Sequence, residues 1–324
     1  MKLLLTGAAG FAASHLVELL RRERPEVEVF GIVRPHGRAP RAGGARMTVL
    51  EADVNDPASL EAVLAVVRPD RIVHLAGQSS VHQSWIDPGA TLRTNVLGIV
   101  HLLDAVRRRS LRPDVLVVGS AEEYGLVDPS ELPLTEDAPL RPSSPYAVSK
   151  VAQAALARLY GPAGGMRVVL TRTFHHTGPG RGEAFAESSF ARQLAEIEAG
   201  RRRPVVQVGN LDAIRDYTDV RDVVRAYWAL VERGEPGVVY NVCSGRGRRI
   251  RELLDILIAA SGAKVDVQVD AERLRPSDVP ALIGDPSRLR SATGWEPRID
   301  LERTLSELLE DWRERTADSA PVRR

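Results

Sequence analysis

Tyr146 and Lys150 stand four apart in Tyr146-Ala147-Val148-Ser149-Lys150. On a helix this spacing puts both on one face about a turn apart, so the ammonium can lie beneath the phenol. A neighbouring positive charge favours phenolate and draws a tyrosine down from its reference pKa of about 10. Tyr146 is thereby a candidate general acid or base. Tyrosine and lysine also fall four apart by chance on surface helices, and the spacing alone leaves that reading open. Composition narrows it, because among 44 lysines and arginines only Lys2, Lys150 and Lys264 are lysine. A chain that otherwise draws its positive charge from arginine keeps here a compact ammonium with several donors. Pro145 suits a first helical position, which predicts a helix starting almost at the tyrosine.

The elements that must position this pair come earlier. Lys2 to Thr6 is an apolar run, followed by Gly7-Ala8-Ala9-Gly10-Phe11-Ala12-Ala13 and a helical pattern through Leu16, Leu19 and Leu20. Strand, glycine turn and helix in this order let backbone approach a pyrophosphate at the helix N-terminus. Glu28 to Val33, Thr48 to Glu51, Arg71 to Leu75, Asp114 to Gly119 and Arg167 to Arg172 read as further strands, with a helix from about Thr91 to Arg108 carrying Asn95 near its start. Alternation of this kind implies a parallel sheet covered by helices on both faces. Ligands bind beyond the carboxyl ends of such strands, so Gly7, Arg34, Asp53, Ala76 and Ser120 are expected to converge. Arg34, with Arg38, can pair with a 2′-phosphate and favours NADP; a loop arginine without a ligand is the alternative. Asp53 can accept from an adenine amine, and the Ser120 hydroxyl can polarise a carbonyl that Tyr146 protonates.

Composition excludes several classes. With 324 residues, 44% of them apolar, the chain can bury a sizeable core. A formal net charge of +1 makes no case for nucleic acid or a membrane surface. One cysteine, Cys243, excludes an internal disulfide framework. Met1 to Leu20 superficially resembles a secretion signal, but Thr6, Gly7, His15 and Glu18 interrupt it, and a cytoplasmic protein with no membrane partner is the expectation.

After Arg172 the character changes. Phe174-His175-His176-Thr177-Gly178-Pro179-Gly180 is a glycine and proline loop with no regular alternation after it. The adjacent histidines point apart and lack an acidic cluster, so no metal is expected. Val238 to Cys243 reads as one more sheet strand, which interleaves the two regions. Arg215 and Arg275 sit in irregular stretches where guanidinium groups can clamp a diphosphate. Ion pairs with Asp216 or Asp278 are the structural alternative. Thr316 to Arg324 reads as a tail.

Several segments together resemble the extended short-chain dehydrogenase/reductase family, and within it the branch acting on GDP-linked sugars. They are the glycine turn, Ser79-Ser80-Val81 with Ser84-Trp85, Gly119-Ser120-Ala121-Glu122-Glu123-Tyr124-Gly125, Tyr146-xxx-Lys150 and the Gly178-Pro179 loop. Val208 to Arg221, Val239 to Gly245, and Arg275 to Pro280 with Gly294-Trp295 extend the likeness over nearly the whole chain. The resemblance implies an α/β fold: a Rossmann doubly wound parallel sheet (1–173 and 218–243) with a smaller, interleaved substrate-binding domain (174–217 and 244–324). It implies a nicotinamide cofactor, NADP(H) favoured and NAD(H) the alternative. Gly7, Gly10, Phe11, Ala12, Arg34, Asp53, Val54, Leu75, Ala76, Gly77 and His176 would hold it, with Tyr146 and Lys150 on its ribose and Asn95 beside Lys150. Ser79, Ser80, Glu122, His175, Val208, Asn210, Arg215, Arg275 and Asp278 would bind the sugar nucleotide, with the diphosphate on the two arginines and guanine around Val208 to Asn210. A homodimer joined through a four-helix bundle is also implied.

Two reactions suit this branch. A reductase delivers hydride to the C4 ketone of a GDP-linked 4-keto-6-deoxy sugar while Tyr146 protonates the oxygen, Ser120 donates to it and Lys150 supports the tyrosine. A 4,6-dehydratase also needs a base for the C5 proton and a group that helps the C6 hydroxyl leave. In the family's dehydratases Thr, then Asp or Ser, then Glu occupy the positions of Ser120, Ala121 and Glu122. Ala121 cannot donate a proton, which favours reduction of the GDP-4-keto-6-deoxy-mannose type of substrate; Glu122 keeps the dehydratase reading alive. A cofactor-binding sensor without turnover is a third reading, and such proteins lose the tyrosine or lysine that this chain keeps. His175 stands where the family has asparagine, a departure that bears on which sugar nucleotide is bound.

Overall fold

A computed structural model describes residues 1–37, 47–273 and 279–318. Arg38, Arg275 and Asp278 lie outside the described residues. Seven strands form one parallel sheet: β1 (Lys2–Thr6), β2 (Glu28–Val33), β3 (Met47–Glu51), β4 (Arg71–His74), β5 (Asp114–Ser120), β6 (Arg167–Thr173) and, after three strands that lie outside it, β10 (Val239–Val242). Their order is β10-β6-β5-β4-β1-β2-β3, so the winding reverses between β1 and β4. Ligands of doubly wound sheets bind at this reversal.

Strands covered on both faces read as continuous apolar runs, and Leu3, Leu4 and Leu5 in β1 are each 0% exposed. One face packs on α1 (Phe11–Glu23) and α8 (Val220–Arg233) through Leu16, Leu20, Val224 and Tyr227, a cluster that Leu289 and Trp295 also join. The other face packs on α2 (Pro57–Val67), α5 (Gly98–Arg108) and α6 (Pro145–Gly164) through Leu60, Leu102, Val106 and Ala157.

Three helix starts matter for the site. Gly10 precedes α1 in an extended conformation and gives it no side-chain cap, so the first N–H groups point beyond the sheet as an anion site would require. Ser144 caps α6 by accepting from the Ala147 N–H at 3.1 Å, one residue ahead of Pro145. The helix expected from Thr91 instead begins at Pro88, where Asp87 accepts from the Ala90 N–H at 2.8 Å. It runs as α4 (Pro88–Leu92), a π-helical turn over Arg93–Leu97 and then α5.

Beyond Arg172 the structure has more order than the sequence suggests. Strand β9 (Ile214–Asp219) pairs in parallel with β7 (His175–Thr177) and β13 (Ala281–Leu282), and antiparallel with β11 (Gly247–Arg249). Strand β8 (Val205–Val208) pairs with β12 (Asp266–Val269). Around them α7 (Ala186–Glu198), α9 (Ile250–Ser261) and α11 (Leu301–Asp318) enclose Phe190, Leu194, Leu254 and Leu308. Among the described residues no helix is long and apolar enough to cross a membrane.

Candidate active site

A cavity of about 660 Å³ opens at the carboxyl ends of β1, β4, β5 and β6. Its floor is the glycine turn. Gly7 has φ +69°, and a Cβ there would sit 2.8 Å from the Ala76 backbone nitrogen, so only glycine allows the β1 and β4 turns to touch. The Gly10 N–H closes the turn onto the Gly7 carbonyl at 2.9 Å. Gly10, Phe11 and Ala12 line the cavity beside it, with Leu75 and Gly77 across from them.

Tyr146, Lys150, Ser120 and Glu122 all face this cavity. The Ser120 side chain stands beside the Tyr146 phenol on this wall. The Ser120 hydroxyl is itself held by the Glu122 N–H at 3.2 Å. The expected effect of Lys150 on the phenol is corrected by the structure. Burial pushes Tyr146 above the usual tyrosine range; the neighbouring Ser120 side chain opposes this, and the nearby carboxylates of Glu122 and Glu123 add to it. The Lys150 ammonium donates instead to the Val118 carbonyl at 2.9 Å and to Gln153 Oε1 at 2.8 Å. Burial pulls Lys150 down to about 8, against the raising effect of Glu123. Tyr146 is therefore a neutral phenol at ordinary pH, the state from which a proton is donated.

Asn95, on the π turn, is fully buried and ties three elements together. Its Oδ1 accepts from the Gln78 N–H at 2.8 Å, and its Nδ2 donates to the Gln78 carbonyl at 3.0 Å and to Ser149 Oγ at 2.9 Å. A Cβ on Gly77 would meet Asn95 Oδ1 at 3.1 Å and Lys150 Nζ at 3.7 Å, which places the amide beside the ammonium although it does not line the cavity.

The expected convergence holds in part. Gly7 and Ser120 meet at the cavity, whereas Arg34, Asp53 and Ala76 are not on its wall. Arg34 is exposed just past β2. Asp53 turns its Oδ1 onto its neighbour Asn55, accepting from N–H at 2.9 Å and from Nδ2 at 3.0 Å. Val54 is buried against Gly98 of α5. The Ala76 N–H donates to Thr6 Oγ1 at 3.1 Å, which stitches β4 to β1.

Of the residues expected to bind a sugar nucleotide, Ser79, Ser80, Glu122, His175, Asn210 and Arg215 line the same cavity. The Val208 side chain is in the apolar core instead, because inward positions on β8 face Phe190 and Leu254; Gly209 and Asn210 supply the wall there. The alternative pairing of Arg215 with Asp216 meets the alternation of β9, which sends neighbours to opposite faces. Asp216 accepts from the Ser244 N–H at 2.8 Å, the Ser244 hydroxyl at 2.6 Å and the Gly245 N–H at 2.9 Å. His175 and His176 diverge as adjacent strand residues do: His175 lies by Tyr217, ring centroids 5.5 Å apart, and His176 stacks on Phe11 at 6.0 Å. Burial draws His176 down to about 3, so it is a neutral ring at the turn.

Sequence reasoning passed over Arg181, whose guanidinium sits 5.0 Å from the Phe11 ring centre and 3.3 Å from that of Phe185 on the cavity wall. The available signal was an arginine closing the Gly178-Pro179-Gly180 loop. Gln153 was also passed over; its place three residues beyond Lys150 on α6 was a signal.

A family model described as GDP-mannose 4,6 dehydratase matches residues 4–308. The chain belongs to that family. It is 35% identical over 317 residues to the GDP-6-deoxy-D-mannose reductase of Pseudomonas aeruginosa, covering 98% of this chain and 99% of the relative. It is 30% identical over 350 residues to a GDP-mannose 4,6-dehydratase of Vibrio cholerae, covering 95% and 92%. A solved Pseudomonas aeruginosa structure of RMD complexed with NADPH superposes with a TM-score of 0.85 at 35% identity, covering 97% of this chain and 99% of that one. A Thermotoga maritima UDP-glucose 4-epimerase with UDP-glucose superposes with a TM-score of 0.87 at 26% identity, covering 98% and 100%. As in these relatives, the fold is a Rossmann-type α/β sheet, and the family's members are NAD(P)-dependent oxidoreductases and dehydratases of sugar nucleotides.

Proposed function

We propose that this enzyme reduces the C4 ketone of GDP-4-keto-6-deoxy-D-mannose to give GDP-6-deoxy-D-mannose (GDP-D-rhamnose), using NADPH in preference to NADH. The observation that carries the choice of reaction is Ala121. It stands between Ser120 and Glu122 on the cavity wall and offers a methyl group where elimination of a C6 hydroxyl needs a donor. Likeness to the Pseudomonas reductase supports the same reading.

The cradle fits a dinucleotide on this chain's own geometry. Gly7 leaves backbone exposed where any side chain would collide, Gly77 leaves it where a Cβ would press on Asn95, and the uncapped start of α1 offers N–H groups to a pyrophosphate. Gly7, Gly10, Phe11, Ala12, Leu75 and Gly77 would hold the cofactor, with Arg34 beyond β2 available to a 2′-phosphate. The bound nicotinamide supplies hydride. Tyr146 then gives its proton to the oxygen that becomes the C4 hydroxyl. Burial suits the phenol to this role by keeping it protonated. Ser120 donates to the same oxygen as charge builds on it, and Lys150, fixed by Val118 and Gln153, keeps a positive charge behind the phenol. Arg215, with Arg275, would hold the diphosphate, Asn210 the guanine, Ser79 and Ser80 the sugar, and His175 a sugar hydroxyl in place of the family's asparagine.

We further assign residues 1–173 and 218–243 to the cofactor half and 174–217 and 244–324 to the sugar-nucleotide half. A homodimer through the helices that include α5 and α6 fits the exposed Leu97, Val148 and Leu159, and a cytoplasmic site of action suits a consumer of NADPH.

Glu122, retained on the wall, favours one second reading, 4,6-dehydratase activity. Purified protein with GDP-mannose and NADP and no added reductant decides between them. No 4-keto-6-deoxy product is expected, whereas GDP-4-keto-6-deoxymannose with NADPH is expected to oxidise one NADPH per sugar reduced. The reverse pattern replaces reductase with dehydratase.

A further inference from the structure

Behind the candidate catalytic residues lies a buried carboxylate with no part in the mechanism so far. Glu123 is 0% exposed. Its Oε1 accepts from the Ser120 backbone N–H at 2.9 Å, and its Oε2 accepts from Arg172 Nε at 3.1 Å. Both partners can only donate, so both oxygens serve as acceptors, as in an ionised carboxylate; burial raises the carboxyl above its usual range, and Arg172, the Ser120 N–H and Lys150 oppose this. Arg172 is itself fixed, donating to the Tyr124 hydroxyl at 3.2 Å and the Glu136 carbonyl at 2.8 Å, with its guanidinium 4.8 Å from the Tyr124 ring centre. Room for the carboxylate comes from Gly119, where any Cβ would overlap it and the Thr171 carbonyl.

Lys150 approaches the same end of β5, donating to Val118 one residue before Gly119. The titratable groups near the ammonium are Glu123 from the turn after β5 and His74 from β4, with Tyr146 one turn away on its own helix. Burial holds His74 neutral, down at about 3, and Tyr146 is a neutral phenol, so Glu123 is the facing group with opposite charge. A buried ammonium without such a partner loses its proton readily.

We propose that Glu123 is a positioning residue for the reduction, anchoring Ser120 through its backbone N–H and presenting the buried negative charge that the Lys150 ammonium faces. The proposal rests on the reading of Tyr146 and Lys150 given above. It accounts for a costly buried pair, Glu123 with Arg172, directly under the two residues whose geometry and charge the chemistry uses.

Glu123→Gln keeps the shape and an acceptor for the Ser120 N–H while removing the charge. The expected result is folded protein with NADPH affinity within about threefold, kcat at pH 7.5 down at least about tenfold, and the alkaline limb of kcat moved to lower pH by about one unit. Glu123→Asp, which keeps the charge and shortens the reach to Ser120, should lower kcat with that limb unmoved. If Glu123→Gln leaves Arg172 unpaired and fails to fold, Glu123→Gln with Arg172→Met removes both buried charges, and the same limb is read in that protein. A limb that stays in place in the folded variant overturns the proposal, since a merely structural carboxylate changes the amount of active enzyme and not its titration. Tyr146→Phe, assayed in parallel, separates the two ideas. If it is inactive while the Glu123→Gln limb stays put, only the role of Glu123 falls; if it turns over normally, the Tyr146 reading falls and the proposal with it.

Discussion

Lys150 shows how much a residue's surroundings change what its type predicts. A helical spacing from Tyr146 suggests an ammonium whose main effect is on the phenol, yet its hydrogen bonds go to Val118 and Gln153 and burial brings it down to about 8. The sign of the resulting pH dependence follows. Below about pH 8 Lys150 is charged in folded and unfolded chains alike, and its desolvation weighs fully against folding. Between about 8 and its ordinary 10.5 the folded chain has released the proton and the unfolded chain has not, so this penalty fades as pH rises. Urea unfolding of the cofactor-free protein and its Lys150→Met variant, at intervals from pH 7 to 10.5, should show wild type gaining on the variant by up to about 3 kcal/mol across that window. A constant difference would mean that Lys150 keeps its proton throughout.

Among elements, those buried on both faces are legible in the amino-acid sequence. Strands β1 and β2 have the bounds read from their apolar runs, and α6 starts at Pro145, because continuous hydrophobicity and a proline suited to a first helical position are local signals. The π turn over Arg93–Leu97 leaves no such mark, since it depends on Asn95 reaching Gln78 and Ser149 from another helix. The short strands around β9 escape sequence reading for a related reason: two or three residues carry too little periodicity, and their partners are distant in the chain. In the site, glycines and hydroxyls at strand ends are legible, as is the loop that Arg181 closes, whereas the place of Arg181 beside Phe11 is not, because that depends on the loop folding back over α1. The glycine turn provides the test at this scale. Gly7→Ala puts a Cβ 2.8 Å from the Ala76 nitrogen at positive φ, so strain of about 1–3 kcal/mol is expected, with NADPH affinity down at least about tenfold by isothermal titration. Unchanged affinity would mean that the β1 and β4 turns separate at little cost.

For the molecule as a whole, exposed apolar side chains stand on α6 and on α4 and the π turn that lead into α5, elements that pack on one another. Leu97, Val148 and Leu159 are 47%, 46% and 70% exposed, and Leu92 at the end of α4 is 40% exposed. Single exposed leucines are ordinary, but several on adjoining helices suggest a face that a second copy covers. Sedimentation should give a dimer for the wild type and a monomer for Leu97→Glu with Leu159→Glu, both retaining helical content. A wild-type monomer at micromolar concentration, or a dimer unaffected by both charges, would rule this face out.

The seventh strand of the main sheet has a consequence for the chain's birth. Because β10 pairs with β6 only after more than sixty intervening residues, including α7 and α8, have been made, a nascent chain that has just completed β6 presents an open row of backbone donors and acceptors beside a half-covered core. Synthesis that stalls between Thr173 and Val239 leaves that edge available to any extended segment nearby. The interleaving that brings Tyr240 and Val242 into the core thus makes this interval the stage at which a chaperone has most to shield.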